Sequence, residues 1–301
     1  MEASTLEPLD NIDHLYKTYK SHLFAIAYRM LGSQSDAEDM VQDLFIGMYE
    51  WRHDTAINNM KSYLSRMMIN RCLNELKSAR KTRTTYVGSW LPEPSVTAAD
   101  NNPLNSMERQ DTVSYAFLVL MEKLTPVERA VFVLKEVFAY EHKEIAEMLN
   151  KSEVNCRKIF SRVKKKVDLS AADNEMSITY PVEEKRLVSQ FINALTNGNI
   201  QSLVDALKED VVFIADGGGN VSAAINPIYN KDRVLRILNA LGASRFPETL
   251  AEQVSVNGGQ GILLTKDGAP TGVIGFEWDA STLNIKRIYL IVNPDKLQHI
   301  R

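Results

Sequence analysis

Cysteine is scarce in this 301-residue chain: Cys72 and Cys156 are too few and too far apart for a disulfide framework or a thiolate metal site. Both read as packing residues. Long apolar runs are also missing, and none approaches the roughly 20 residues that a bilayer-spanning helix needs, so no membrane partner is expected. The stretch from Met1 to Asp13 lacks the basic-then-apolar pattern of a secretory signal, which makes the cytoplasm the expected compartment. Nor is there an excess of positive charge. With 35 Lys and Arg against 38 Asp and Glu the formal net charge is -3, so a protein that coats nucleic acid indiscriminately is excluded and any DNA contact must be local. What is present, 45% hydrophobic and 24% charged residues, is globular in composition and long enough for two or three compact units.

The first third has helical periodicity. Ile12, Leu15, Tyr19, Leu23, Ile26 and Met30 share one face until Gly32 supplies a stop. A second helix is expected behind a capping box of Ser35 and Glu38, with Ala37, Met40, Val41, Leu44, Phe45 and Met48 inward and Asp36, Asp39, Gln42 and Asp43 outward. A third runs from about Met60 to Arg80, with Leu64, Met68, Cys72 and Leu76 inward. Residues 82–102 lack sustained periodicity, contain Gly88, Pro92 and Pro94, and read as a linker. Its Trp90-Leu91-Pro92-Glu93-Pro94 segment is stiff and extended, suited to docking, although an ordinary linker with a chance Trp has the same composition. Helices resume at Pro103. Thr125-Pro126-Val127-Glu128 is a capped start, and a turn at Asn150 to Ser152 separates helices at 141–149 and from Glu153 to about Val167.

Beyond Ala171 the pattern changes. Helices are expected at Leu187 to Leu195 and Leu203 to Leu207, followed by strands at 211–215, 254–256, 261–265, 271–278 and 283–292, separated by glycine-rich turns. The expected architecture is two all-α domains at 1–81 and 103–170, joined by the linker 82–102. After a second linker at 171–180 comes an α+β domain at 181–301 with a curved antiparallel sheet.

Helices 141–149 and 153–167 form a helix-turn-helix, in which Ile145, Ala146 and Leu149 are expected to pack on Val154 and Ile159. That leaves Asn155, Arg157, Lys158, Ser161, Arg162 and Lys165 on an exposed face. Asn and Arg near the start of such a helix reach base edges and later lysines reach phosphates, though a basic terminal helix is also often a solvated face. A second DNA candidate is the polar loop with Asn58 and Asn59 and the third-helix stripe Arg66, Asn70, Asn74 and Lys77. A loop beside a basic helix can hold an unstacked base, and the bland alternative is a wet helical face. The Asp36, Asp39, Gln42, Asp43 face suits a basic or polar protein partner. Favourable first-turn acids account for the early members but not for Asp43.

The segments Ala27-Tyr28-Arg29-Met30-Leu31-Gly32 and Asp36 to Asp43 resemble region two of extracytoplasmic-function sigma factors. Leu124 to Arg129 and Glu144 to Glu147 resemble their region four. Trp90 to Pro94, Asp216-Gly217-Gly218-Gly219 and Asn293-Pro294-Asp295-Lys296-Leu297 together resemble the subgroup with a C-terminal SnoaL-like domain. The resemblance implies that the acidic helix binds the clamp of core RNA polymerase, that the polar loop and third helix melt and read the -10 element of promoter DNA, and that the recognition helix reads the -35 element. It implies further that the SnoaL-like cone modulates activity through Trp90, Leu91, Pro92, Asp216, Gly217, Gly218, Gly219, Asn293 and Pro294, and leaves room for an unidentified small ligand. Asn220 and Cys156-Arg157-Lys158 depart from the family pattern. Asp216 is the candidate for a catalytic base, but an Asp before three glycines reads more simply as a turn residue. No catalytic residue, metal or cofactor is expected. The competing reading is a helix-turn-helix regulator that works without polymerase, with a ligand-binding or enzymatic C-terminal domain.

Overall fold

Apolar residues three and four apart build the first three helices, α1 (Pro8–Leu31), α2 (Gln34–Glu50) and α3 (Met60–Arg83). The structure is a computed structural model that describes residues 8–50, 57, 59–83, 86–98, 114–171, 181–244 and 248–300. The expected helix start at Pro103 and the candidate Asn58 lie outside these residues. The chain divides into two compact units, one of residues 1–81 and 121–166 and the other of residues 82–120 and 167–301.

In the first unit Leu23, Ile26, Met30, Ala37, Leu44, Leu64, Met68 and Cys72 are completely buried. The cap of α2 corrects the sequence reading: Ser33, not Ser35, accepts the amide of Asp36 at 3.1 Å, two residues earlier than the expected box. Helix α5 (Pro126–Phe132) has the expected capping box of Thr125 and Glu128. It runs into a π-helical turn (Val133–Val137), and Ala139 then takes a positive φ. This detour brings Phe138 edge-on to His22 at 5.0 Å and the Tyr140 hydroxyl to Ser65 Oγ at 2.8 Å. Arg129, 3% exposed, donates to the carbonyl of Met30 at 2.5 Å and pairs with Glu122 at 2.6 Å. Such a buried cation is tolerated only with partners of this kind. Helices α6 (His142–Leu149) and α7 (Glu153–Ala171) follow, with Asn150 between them in the left-handed conformation at φ 50°.

In the second unit the element order is β1 (Val96–Ala98), α4 (Tyr115–Met121), α8 (Pro181–Asn197), β2 (Leu207–Asp216), β3 (Ile228–Tyr229), α9 (Lys231–Ser244), β4 (Leu250–Val256), β5 (Gly259–Lys266), β6 (Ala269–Trp278) and β7 (Ile285–Ile291). They form one sheet in the order β1-β4-β5-β6-β7-β2-β3. All neighbours are antiparallel except β2 and β7, which run parallel. Its two faces are both covered, for different reasons. Phe213, Leu264, Ile274, Ile288 and Leu290 pack against Phe191 and Leu195 of α8 and Leu238 of α9. On the opposite face Val273, Tyr289 and Ile291 pack against Leu91, Tyr115, Leu297 and Ile300.

Three expectations are corrected here. The helix placed at Leu203 to Leu207 is a short 3-10 turn (Ile200–Leu203), and β2 takes over at Leu207 because Leu207, Val211 and Phe213 face the core. Leu283 has a positive φ of 59° in the turn before β7 and is not in that strand. Helix α9 was not foreseen, although Val234 and Leu238 show its buried stripe and Asn230 caps it by accepting the amide of Asp232 at 3.0 Å.

Candidate nucleic-acid interface and linker latch

On α7 the buried residues are Cys156, Ile159 and Val163, three and four apart. They pack the helix-turn-helix together with Ile145 and Ala146, whereas Val154, expected inside, is 62% exposed because it lies out of phase with that stripe. Asn155, Arg157, Lys158, Ser161, Arg162 and Lys165 are all exposed, and the last five, Asn155 apart, line one shallow concavity. Two of the cations are held within the helix-turn-helix domain. Arg157 pairs with Glu153 at 2.5 Å, and Arg162 approaches Glu128 at 3.4 Å, where Lys166 is also bound at 2.9 Å.

The stripe on α3 is in place: Arg66, Asn70, Asn74 and Lys77 are exposed opposite Leu64, Met68, Cys72 and Leu76. Asn59 has a local task, since its side chain accepts the amide of Ser62 at 3.0 Å and starts α3. On α2 the residues Asp36, Asp39, Gln42 and Asp43 are exposed, and the exposed Ile46 and Tyr49 continue the same side of the helix.

The third constellation converges on one carboxylate. Asp216 is 1% exposed, and besides its role in the turn, where it accepts the Gly218 amide, it has partners far away in sequence. One oxygen accepts the Tyr86 hydroxyl at 2.5 Å and the Gly218 amide at 3.0 Å. The other accepts the Leu91 amide at 2.8 Å and the Lys296 ammonium at 2.7 Å. Lys296 also donates to the carbonyl of Leu91 and lies 3.9 Å from the centre of the Trp90 ring and 5.3 Å from that of Tyr86, a cation between aromatic faces. Burial, reinforced by the bond to Asp216, pushes the Tyr86 hydroxyl above its ordinary pKa, so it stays a donor. Asn293 caps the following 3-10 turn and donates to Tyr86 at 3.0 Å, while the exposed Pro294 only starts that turn.

The glycines have separate reasons. A side chain at Gly217 would collide with the Val221 carbonyl. At Gly218, with φ +63°, a Cβ would lie 2.5 Å from the Asn293 side chain, and at Gly219 it would lie 3.3 Å from Val87 of the linker. Downstream, Leu91, Pro92, Glu93 and Pro94 are buried. Pro92 offers its carbonyl to Tyr115 of α4 at 2.7 Å, Pro94 to His299 at 2.8 Å, and β1 pairs with β4. The structure therefore brings the linker, the turn after β2 and the 293–297 segment together. Tyr86, Tyr115 and His299 were missed because each is a single residue outside a recognisable motif.

A helix-turn-helix whose turn residue Asn150 is left-handed and whose second helix is exposed and basic, a helical domain carrying an acidic face and a basic stripe, and matches of residues 15–82 to Sigma-70 region 2 and 114–167 to Sigma-70 region 4 define a transcription initiation factor of the sigma-70 class. Over 293 residues the chain is 31% identical to the ECF RNA polymerase sigma factor SigJ of Mycobacterium tuberculosis, covering 93% of this chain and 91% of that one. It is 28% identical to the probable ECF RNA polymerase sigma factor SigI of the same organism over 298 residues, 97% of each. The crystal structure of SigJ aligns with a TM-score of 0.72 at 29% identity, over 94% of this chain and 97% of that one. The chain belongs to the extracytoplasmic-function sigma factors, in the subgroup whose two sigma regions are followed by a fused α+β cone.

Proposed function

We propose that this sigma factor binds core RNA polymerase through Asp36, Asp39, Gln42 and Asp43, reads the -10 element with the region around Asn58 and Asn59 and with Arg66, Asn70, Asn74 and Lys77, and reads the -35 element with α7. Its C-terminal cone restrains it by holding the linker between the two readers. The observation that carries the restraint is Asp216, a buried carboxylate whose Tyr86 and Leu91 donors come from the linker and whose Lys296 donor comes from the cone. A catalytic base needs a free lone pair facing a substrate, and this carboxylate already accepts four donors, which favours a structural role. The cytoplasm, where promoter DNA is, is the proposed compartment. Among the described residues no helix is long and apolar enough to cross a membrane. A small-molecule ligand of the cone would occupy the cavity of about 250 Å³ between α8, α9 and the sheet, lined by Leu195, Phe213, Leu238, Ile288 and Leu290 with Thr249 and Thr271 at polar positions.

The test is transcription from a -10/-35 promoter by core polymerase with the full-length protein. Trp90→Ala removes the ring over Lys296 and raises the rate, and an unchanged rate would leave the cone a passenger. In the same assay the helix-turn-helix gives its own pattern. Arg157→Ala or Arg162→Ala weakens binding to the -35 sequence by about 1–3 kcal/mol each and relaxes specificity. Lys165→Ala weakens all sequences alike and lowers the salt slope by about one. Wild-type binding by all three would reduce α7 to a solvated face.

A further inference from the structure

Most exposed side chains of α7 are polar or cationic, and Val154 is neither: it is 62% exposed in the first turn of the helix. A single exposed valine is ordinary on a protein surface and needs no explanation by itself. Direction sets this one apart. At about 100° per residue, Val154 lies about 170° round the helix from the buried stripe of Cys156, Ile159 and Val163, in the middle of the outer face. Lys158, Ser161 and Lys165 continue the same line at i+4, i+7 and i+11, and all three line the shallow concavity of this helix. Asn155, expected from the sequence to reach base edges, lies only about 70° from the buried stripe and is not among the residues of that concavity.

The neighbouring cation is placed to match. Arg157, i+3 from Val154, directs both Nε, at 3.1 Å, and Nη2, at 2.5 Å, onto one oxygen of Glu153. That draws the guanidinium back toward the first turn, beside the valine. A recognition helix enters the major groove with its N-terminal residues against base edges. There a cation recognises O6 and N7 of guanine and a carboxylate the amino group of cytosine, whereas an aliphatic side chain has one counterpart, the C5 methyl of thymine. Valine makes no hydrogen bond through its side chain, so on this face it gains only by covering a methyl and excluding water. The helix itself gives no reason for it, because Val is a poorer helix former than Ala. One turn of helix rises about 5.4 Å and one base step about 3.4 Å, so Val154 and Arg157 address base pairs no more than about two steps apart.

We infer that Val154, and not Asn155, is the specificity-determining residue at the N-terminal end of α7, and that it reads the C5 methyl of a thymine in the -35 element close to the base read by Arg157. The inference rests on the proposed reading of the -35 element by α7 and specifies which base is chosen there and through which atoms.

The experiment uses holoenzyme, core polymerase with the full-length protein. It is first bound to a library of randomised duplexes, and the enriched upstream element is sequenced. Each thymine of that element is then replaced, one at a time, by deoxyuridine, which lacks the methyl and keeps every Watson–Crick hydrogen bond. At one position the wild-type holoenzyme binds about fourfold more weakly, the worth of one methyl taken out of water. That thymine lies within about two base pairs of the position where Arg157→Ala relaxes the selection. Val154→Ala binds the thymine and deoxyuridine duplexes equally, Val154→Thr, which keeps one methyl branch, retains part of the difference, and Asn155→Ala keeps all of it. The thermal melt of Val154→Ala is unchanged or slightly raised, because the side chain is exposed and Ala is the better helix former. An enriched element with no thymine at that distance overturns the inference, as does deoxyuridine sensitivity that survives Val154→Ala. So does weaker assembly of Val154→Ala with core polymerase in a pull-down, which would put the valine on a protein interface. If Arg157→Ala, Arg162→Ala and Lys165→Ala all enrich the wild-type element with wild-type affinity, the reading of the -35 element by α7 falls, and this inference with it.

Discussion

Asp216→Ala unseats the linker and destabilises the C-terminal unit by about 3–5 kcal/mol, because it leaves the Lys296 ammonium buried with no counter-charge. The Tyr86 hydroxyl and the Leu91 and Gly218 amides lose their acceptor in the same step. Three readings check this: denaturant unfolding of the full-length protein, loss of exchange protection at Leu91, and a rise in promoter-specific transcription. A partner substitution separates the charge from the hydrogen bonds. Lys296→Met keeps the length of the side chain and its contact with the Trp90 ring while removing the cation. The double variant is expected to lose less than the sum of the two single losses, since removing both members of a buried pair leaves no orphaned charge. Strict additivity would mean that the ion pair contributes nothing to holding the linker.

The second large effect falls on the other unit. Asp39→Lys combined with Asp43→Lys reverses the charge of an exposed face of α2 and lowers affinity for core polymerase by about 100-fold, like charges across an interface costing several kcal/mol. Stability stays within about 0.5 kcal/mol, because neither side chain is buried while Ala37, Val41 and Leu44 on the inner face are untouched. Pull-down with core polymerase and a thermal melt, run side by side, check both halves. An unchanged affinity would remove α2 from the proposed interface.

The helices were legible because their inward residues keep a period that little else imitates, and the capping box at Thr125 and Glu128 and the left-handed Asn150 carry their own local chemistry. The turn after β2 was legible as a turn and illegible as a site. Nothing near Asp216 in sequence shows that its partners come from Tyr86, Leu91 and Lys296, whose bonds to it span 130, 125 and 80 positions. The same distance hid β1, whose three residues are held by pairing with β4 rather than by a strand pattern of their own. Helix α9 was obscured for a different reason. It lies amid strands, and its short stripe of Val234 and Leu238 resembles ordinary punctuation between them. Val154 shows the limit of reading apolar residues as inward, since the phase of α7 is set by Cys156, Ile159 and Val163 and leaves Val154 outside.

The order of the latch residues along the chain gives this protein a history on the ribosome. Tyr86 and Trp90 are made long before Asp216, and Lys296 comes later still. At about 5–20 residues per second, the linker waits about 10–40 s for its lysine. Within that interval, from Ala171 onward, both helical readers have been translated while Asp216 and Lys296 are still to come. Under the proposed restraint, a newly translated molecule passes through an unrestrained period that ends when Lys296 is in place, and slower translation lengthens it.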